Sequence, residues 1–392
     1  MAAPKHSGRA HALLSASAAH RWMQCTPSAV LESGEPDKGS VFAAEGTLAH
    51  EVCEVVLRAA LSRTTYDLSD LRAREGFTEE MEEHAEAYAD YVLSQVVTDD
   101  ALVEIEAKLD FSEYVLEGFG TGDCVIAQDG VLTIIDYKYG KGVKVRAEKN
   151  PQMMLYALGA VKAFDFVYEF DTVHMVIFQP RLESISEWSL SMGELEAWAE
   201  KTLAPKAKEA AKGEGKFQPG DHCRFCKYSA KCKVLAAYCM ATASKDFEDE
   251  DGILSEAKLD PWDWNIILDR MDIVESWLKK VKAAATEKLL ADPESIPGYK
   301  VVAGRSNRVY SNTAEVAKRL TEAGYSDEVI YKPREVAGIT EMTKRLGKAK
   351  AAELLDGLII KPEGKPTLVP VTDKRPLYKG SAEVDFTDEG EM

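Results

Sequence analysis

The segment of residues 120–140, GTGDCVIAQDGVLTIIDYKYG, constrains the fold more than any other part of the chain. Its Asp129-Gly130 pair is typical of a two-residue type I′ turn, in which both residues have positive φ. The apolar runs on either side therefore predict a β-hairpin, and counting outward from the turn places Asp123 directly opposite Asp136. Directly opposite side chains share one face of a hairpin, so the two carboxylates are expected to lie close together.

Two carboxylates on adjacent strands repel each other unless a positive charge lies between them. A hard divalent cation with oxygen ligands, Mg²⁺ or Mn²⁺, suits such a pair. Lys138 follows Asp136 by two residues and therefore points to the same face, where it can orient or polarise a water. The pattern indicates metal-assisted hydrolysis of a phosphodiester. A solvated hairpin face is the alternative, but these strands are apolar on both faces, and buried acids require a partner.

Hydrophobic periodicity along the chain predicts an α/β fold, in which helices come first and a sheet with an interposed helix follows. Helices are expected at 42–62, 78–97, 150–165, 187–212 and 262–290, and strands at 102–109, 120–127, 131–139 and 172–179. We predict a first domain of residues 1–240, an acidic linker 241–260, a helical or mixed C-terminal domain 261–377 and an acidic tail 378–392.

Composition excludes several classes of protein. The 392 residues are 45% hydrophobic, which is typical of a globular chain and not of a disordered one. The sequence contains no run of about 18 apolar residues, the length that a membrane-spanning helix requires. The first residues lack the pattern of a signal peptide. Seven cysteines, an odd number, are not typical of a secreted disulfide framework, so a cytoplasmic location is expected.

The net charge of −18 argues at first against a nucleic-acid partner, because such proteins usually carry a basic surface. The acidic residues are concentrated in 78–97, 243–258 and the tail, however, whereas the stretch after Asp136 is locally basic. Contacts with DNA phosphates require only local positive charge, although a solvated face is the alternative. The basic residues in question are Lys141, Lys144, Arg146 and Lys149.

Three cysteines, Cys223, Cys226 and Cys232, form a C-x2-C-x5-C motif. Three clustered thiols require a fourth ligand to hold either tetrahedral zinc or a cubane iron–sulfur cluster. The spacing does not separate the two, and the neighbouring His222 is a further ligand for zinc. The other cysteines are Cys25, far upstream, and Cys53, Cys124 and Cys239, which match no motif and are expected to be small buried residues.

Two predicted helices carry further polar side chains, His50 on the first and the pair Gln152 and Tyr156, four residues apart, on the third. The order of motifs along the chain is Gly-Thr-x-x-His, a strand with Glu106, Gly-x-x-Asp, Asp-x-Lys and Gln-x-x-x-Tyr. This succession, over about residues 12–235, resembles the RecB-like branch of the PD-(D/E)XK nucleases. The resemblance implies a restriction-endonuclease-like core, a central mixed sheet flanked by helices, with an α-rich C-terminal region after it.

The resemblance also implies roles for the motif residues. His50, Asp123 and Asp136 would bind the catalytic metal, with the backbone carbonyl of Tyr137 as a further ligand. Lys138 would assist the attacking water, and Gln152 and Tyr156 would line the site and the DNA path. The chain departs from related enzymes at one position, since the middle acid is Asp136 where Glu is common.

An early cysteine combined with a late C-x2-C-x5-C motif is similar to the iron–sulfur RecB-like nucleases, which include AddB-type and CRISPR-associated relatives. This similarity implies a 4Fe-4S cluster that joins the N-terminal helix to the end of the nuclease core. The four ligands would be Cys25, Cys223, Cys226 and Cys232.

The resulting hypothesis is a metal-dependent deoxyribonuclease, an exonuclease, that acts on single-stranded DNA or duplex ends in phage recombination or replication. A phage single-strand-binding or annealing protein is the expected protein partner, no membrane is involved, and the location is the bacterial host cytoplasm if a phage encodes the chain. The alternative is a non-catalytic DNA-binding or assembly module on a nuclease scaffold, with structural iron–sulfur or zinc at the cysteines.

Overall fold

The computed structural model describes residues 12–36, 41–242, 261–302 and 312–322, together with residues 347, 350, 354 and 355. The chain divides into two units, Met1–Val302 and Ala303–Met392. The predicted acidic tail lies outside the described residues, and so does the predicted linker apart from residues 241 and 242.

The first unit begins with short helical elements and two long helices. These are a 3-10 turn at Ala16–Ala18, α1 at Ala19–Trp22, α2 at Ser28–Ser33, α3 at Val41–Ser62, α4 at Ser69–Arg72 and α5 at Glu79–Gln95. The helices predicted at 42–62 and 78–97 are therefore confirmed as α3 and α5. None of the described helices is long and apolar enough to cross a membrane.

A five-stranded mixed sheet follows, so the predicted α/β class is confirmed. Its strands are β1 at Leu102–Asp110, β2 at Phe119–Gln128, β3 at Val131–Tyr137, β4 at Thr172–Gln179 and β5 at Ser184–Ser191. Their spatial order is the order of the sequence. Neighbouring strands are antiparallel except β3 and β4, which are parallel and are joined through α6 at Pro151–Phe164.

The hairpin of β2 and β3 has the predicted turn and register. Asp129 and Gly130 have φ values of 45° and 72°, as a type I′ turn requires. The ladder runs from the Gln128–Val131 pair to the Cys124–Ile135 pair, and the next position in this register belongs to Asp123 and Asp136.

The two faces of the sheet are covered by different helices. One core combines α6 and the N-terminal segment with sheet residues such as Val125, Leu132 and Ile134. The other core combines α3 and α5 with the sheet residues that alternate along each strand with those of the first core, such as Ile126 and Ile135. The hairpin is therefore buried on both faces, as its two apolar faces predict.

The helix predicted at 187–212 is wrong over its first residues, because residues 184–191 form β5. The helix begins at Met192 with a capping box, in which Ser191 and Glu194 bond each other's backbone N–H groups. It continues as α7 at Met192–Trp198, a π-helical turn at Ala199–Leu203 and α8 at Ala204–Lys212.

The remaining elements of the first unit are 3-10 turns at Asp221–Phe225 and Ser229–Lys231, α9 at Lys233–Thr242 and α10 at Pro261–Ala291. The long helix predicted at 262–290 is confirmed as α10. In the second unit the structure describes α11 at Thr313–Glu322.

Candidate functional site

The regular pairing of the sheet is interrupted where three acids lie on adjacent strands. On β1 and β2, the pairs Ile105–Cys124 and Ala107–Gly122 lie on either side of Glu106 and Asp123. Glu106 has a φ of 55°, in the left-handed region that residues other than glycine rarely adopt. Such a conformation costs about 1–3 kcal/mol and persists only where the surroundings impose it.

The distortion at Glu106 switches β1 from one face of the sheet to the other. Ile105 belongs to the core under α3 and α5, whereas Ala107, two residues later, belongs to the core under α6. In a regular strand these two side chains would share a face. Glu106 is thereby directed toward Asp123 and the helix that carries His50.

His50, Glu106 and Asp123 converge to form the centre of what we call the acid site. One ligand atom from each lies within 4.8 Å of those of the other two. His50 Nδ1 is 3.3 Å from Asp123 Oδ1. Asp123 Oδ2 accepts a hydrogen bond of 2.7 Å from the backbone N–H of Tyr137, which fixes the carboxylate in place.

Asp136 lies beside these three residues and contacts Lys138. Asp136 is only 2% exposed. Lys138 Nζ lies 2.9 Å from Asp136 Oδ2 and donates a hydrogen bond of 3.2 Å to Oδ1. The contact of Lys138 with Oδ2 does not have the geometry of a hydrogen bond. This buried oxygen therefore keeps a lone pair for a further ligand.

Gln152 and Tyr156 of α6 lie beside the acids, Gln152 in contact with Asp136 and Tyr156 in contact with Gln152. The Asn150 side chain caps α6, since it accepts hydrogen bonds from the backbone N–H groups of Gln152 and Met153. This cap fixes the start of the helix beside β3. Gln152 Nε2 donates to Asp136 Oδ1 over 3.1 Å and to Tyr156 Oη over 3.2 Å.

Burial and mutual charge set the protonation of the acid site. Burial raises the pKa of Asp136, and it raises the pKa of Glu106 to about 7, with repulsion from Asp123 contributing. Burial also opposes the charge of Asp123, but His50 and Lys138 outweigh it and the pKa of Asp123 is lowered. Burial likewise opposes the charges of His50 and Lys138, and the adjacent carboxylates outweigh it and raise the pKa of both.

The donor set fits a hard divalent cation. Carboxylate oxygens suit Mg²⁺, and carboxylate with imidazole suits Mn²⁺. Adjacent ligands of octahedral Mg²⁺ are about 3 Å apart, close to the 3.3 Å between His50 and Asp123. Asp136 Oδ2, which pairs with Lys138 but accepts no hydrogen bond, supplies a further acceptor nearby. A metal ligand role for the Tyr137 carbonyl stays a prediction.

The sequence did not single out Glu106 as a site residue. Strict alternation across Ile105, Ala107 and Leu109 assigns Glu106 to the solvent face of a regular strand. The switch of faces depends on the left-handed backbone at Glu106, and the sequence carries no glycine there that would have indicated it.

The four cysteines of the predicted cluster line one cavity, together with His222. Cys25 follows α1, and the other three lie in or next to the 3-10 turns of residues 221–232, which we call the cysteine loop. Among the described residues, no three of these thiols have ligand atoms within 4.8 Å of one another. Tetrahedral zinc holds its sulfurs about 3.8 Å apart, given Zn–S distances of about 2.3 Å.

All seven cysteines are free thiols. Burial raises the pKa of Cys25 and Cys223, and it raises the pKa of Cys226 to about 12. Without a metal these thiols are therefore protonated at neutral pH. Cys53, Cys124 and Cys239 are buried, as predicted for cysteines that match no motif.

The N-terminal segment and the cysteine loop are joined by ion pairs and hydrogen bonds. Glu32 of α2 accepts a bond of 2.7 Å from the backbone N–H of Lys227, and its other oxygen lies 2.5 Å from Arg21 Nε. Lys231 Nζ lies 2.8 Å from a carboxylate oxygen of Glu35. His222 Nε2 lies 2.7 Å from the carbonyl of Gln218.

The predicted DNA-contacting residues lie between β3 and α6 and are exposed. They are Lys141, Lys144, Arg146 and Lys149. Their location next to Lys138 keeps them adjacent to the acid site along the chain, and a DNA contact stays a prediction.

The sequence of residues 11–376 matches a family described as "Protein of unknown function (DUF2800)". The chain belongs to the DUF2800 family. The match extends over both the acid site and the cysteine loop, so these features lie within the region that defines the DUF2800 sequences.

One solved structure that this DUF2800 chain resembles is described as "Crystal structure of SSO0001". The identity is 14%, the alignment covers 55% of this chain and 96% of that one, and the TM-score is 0.23. A similarity at this level indicates neither a shared fold nor a shared function.

Proposed function

We propose that the chain is a metal-dependent deoxyribonuclease of the RecB-like PD-(D/E)XK type, which hydrolyses phosphodiester bonds with Mg²⁺ or Mn²⁺. The observation that carries this proposal is the convergence of His50, Glu106 and Asp123 beside the buried pair of Asp136 and Lys138. Three acids in one site repel each other, and a divalent cation is the partner that offsets this repulsion.

In the proposed site, His50, Asp123 and Asp136 hold the metal, and Glu106 joins them as a fourth side chain. A bound cation would lower the pKa of a water and stabilise the charge that develops on the phosphate oxygens. Tyr137 keeps Asp123 oriented through its backbone N–H, so this carboxylate is positioned before any metal binds.

Lys138 and the α6 side chains act on the nucleophile and the substrate in this proposal. Lys138 is held by Asp136 within hydrogen-bond reach of the site, where its ammonium can orient a water or a phosphate oxygen. Gln152 bonds both Asp136 and Tyr156, so it fixes the carboxylate from the side of α6. The exposed basic residues after β3 would then contact the DNA backbone.

We also propose a 4Fe-4S cluster at Cys25, Cys223, Cys226 and Cys232. Four soft sulfur donors line one cavity, which fits iron–sulfur chemistry. Four thiolates would also bind zinc, and the resemblance to iron–sulfur RecB-like nucleases favours the cluster. A brown protein with broad visible absorption would support the cluster, whereas a colourless protein with stoichiometric zinc would contradict it.

The substrate that we propose is single-stranded DNA or a duplex end, in the recombination or replication of a phage. End-labelled single- and double-stranded DNA should be shortened in the presence of Mg²⁺ or Mn²⁺ and remain intact in excess chelator. Addition of a single-strand-binding or annealing protein to the same assay tests the proposed partner.

Asp136→Ala is the decisive variant for the nuclease. We expect cleavage to fall below detection, because the variant removes a buried carboxylate that faces the proposed metal. Glu104→Gln, an exposed acid on β1, is the matched control and should cleave like the wild type. Unchanged cleavage by Asp136→Ala, with a native circular dichroism spectrum, would contradict the proposal.

A further inference from the structure

Lys280 of α10 donates to a concentrated set of acceptors in the cysteine loop. Its Nζ lies 2.6 Å from the carbonyl oxygen of Arg224 and 3.0 Å from Ser229 Oγ. The carbonyl oxygens of Cys226 and Cys223 lie 3.3 and 3.4 Å away. One ammonium group therefore contacts residues spread over the whole of 223–229.

The face of α10 that carries Lys280 also packs against the cysteine region. Ile273, Trp277 and Lys280 follow each other at intervals of four and three residues, which places them on one side of the helix. Ile273 forms a buried cluster with Leu235 and Cys239 of α9, and Cys223, Cys232 and Trp277 pack against this cluster. A helix outside the predicted nuclease domain thus packs against the cysteine loop and α9.

The chemistry of an ammonium group suits this location. It offers three N–H donors and one positive charge, and it accepts no hydrogen bond. Cysteines bind a metal as thiolates, so loading of the cavity introduces several negative charges next to Lys280. Groups that surround the ligands of a metal fix the orientation of those ligands and tune the affinity and the reduction potential.

We infer that Lys280 is a positioning residue for the proposed cluster at Cys25, Cys223, Cys226 and Cys232, which we call the cysteine centre. It acts on this centre in two ways. It fixes the backbone between Cys223 and Ser229 in the conformation that directs the thiols to the cavity, and its charge stabilises the thiolate-bound metal. This inference rests on the proposed cysteine centre and not on the nuclease activity.

The test uses the full chain after anaerobic reconstitution with ferrous iron and sulfide. Lys280→Met removes the charge and the donors but keeps an unbranched side chain, and Lys280→Arg keeps the charge. Lys279→Met is the matched control, since Lys279 is 75% exposed on the same helix and pairs with Glu275. Three quantities are measured: iron per chain, the rate of iron release to a chelator, and the reduction potential from a dye-mediated titration.

Lys280→Met should release iron about 10- to 100-fold faster than the wild type, the range typical for loss of an outer partner of a metal ligand. Its reduction potential should become more negative, because loss of a positive charge disfavours the more negative reduced state. Lys280→Arg should restore the potential, which a purely structural role would leave unchanged in all variants. Lys279→Met should match the wild type.

Equal release rates and equal potentials in Lys280→Met and the wild type would overturn the role of Lys280. If the wild type and Cys226→Ala take up the same metal, the cysteine centre itself fails, and the inference fails with it. Neither outcome depends on DNA cleavage, so failure of the nuclease proposal would be seen separately in the cleavage assay.

Discussion

The acid site and the cysteine cavity are built on different kinds of backbone. The acid site lies on the strands β1 to β3, whose neighbours are buried on both faces and paired by ladder hydrogen bonds. The cysteine cavity lies on short 3-10 turns, and side-chain contacts join its parts. The sheet can impose a costly arrangement of like charges, whereas the order of the cysteine loop depends on its side-chain contacts and on the proposed metal.

The difference has a consequence for stability. The acid site holds an unfavourable φ at Glu106 and two acids, Glu106 and Asp136, whose pKa values are raised, so it lowers the stability of the metal-free fold at neutral pH. The cysteine cavity should instead gain order from its ligand, because a metal bound only by the folded chain stabilises it. The acid site is therefore positioned in advance by the fold, whereas a metal at the four cysteines, as proposed, would help to form the fold.

The largest effect on stability is expected from a variant of the cysteine cavity. Cys226→Ala should lose the bound iron or zinc and lower the unfolding midpoint by about 10 °C or more, since loss of a structural metal costs several kcal/mol. Hydrogen exchange should increase in the cysteine loop and in α2, while β2 and β3 stay protected. Cys124→Ala, at a buried cysteine of the sheet, is the control that should keep the metal. Loss of protection throughout the sheet would contradict the distinction between the two sites.

A second variant tests whether the acid site destabilises the metal-free fold. The pKa of Glu106 rises from its ordinary value of 4.5 to about 7 in the folded chain. The folded state therefore binds this proton more tightly than the unfolded state, and stability is lost as the pH rises from about 4.5 through 7. Glu106→Gln removes that penalty, so the metal-free variant should gain stability over the wild type at pH 8 but not at pH 4.

The same variant should weaken the binding of Mn²⁺, because it removes a carboxylate that we propose as a ligand. Thermal unfolding with and without Mn²⁺ gives both results, and Glu104→Gln serves as the control on the same strand. A metal-free Glu106→Gln protein that is less stable at pH 8 than the wild type would show that Glu106 has a purely structural role.

The two sites also differ in how far the sequence alone predicts them. The Asp129-Gly130 turn fixes the register of its hairpin, so the adjacency of Asp123 and Asp136 follows from local chemistry alone. The proximity of Cys25 to the cysteine loop involves residues about 200 apart in the chain, and only a resemblance to known proteins suggested it. Local rules identify neighbours across a tight turn, but they do not identify contacts closed by long loops.

Two features of the sheet differ from the sequence prediction for physical reasons. Glu106 belongs to the order of motifs, but the sequence assigns it no role in the site, because alternation does not reveal that its left-handed backbone switches β1 between faces. The strand β5 was assigned to a helix because it runs without glycine or proline into Met192. A signal was available there, since Ser191 and Glu194 have the spacing of a capping box and mark the true start of the helix.

The variant with the smallest expected effect tests whether a bound metal or the ion pairs order the cysteine loop. Lys231→Gln removes the pair with Glu35, but Lys231 is 58% exposed, so the cost should be about 1 kcal/mol or less. The unfolding midpoint should fall by no more than about 4 °C, and the metal content should not change. Lys233→Gln, at a nearby exposed lysine, is the control. If Lys231→Gln lowers the midpoint as far as Cys226→Ala does, the ion pairs rather than the bound metal hold the loop against the N-terminal segment.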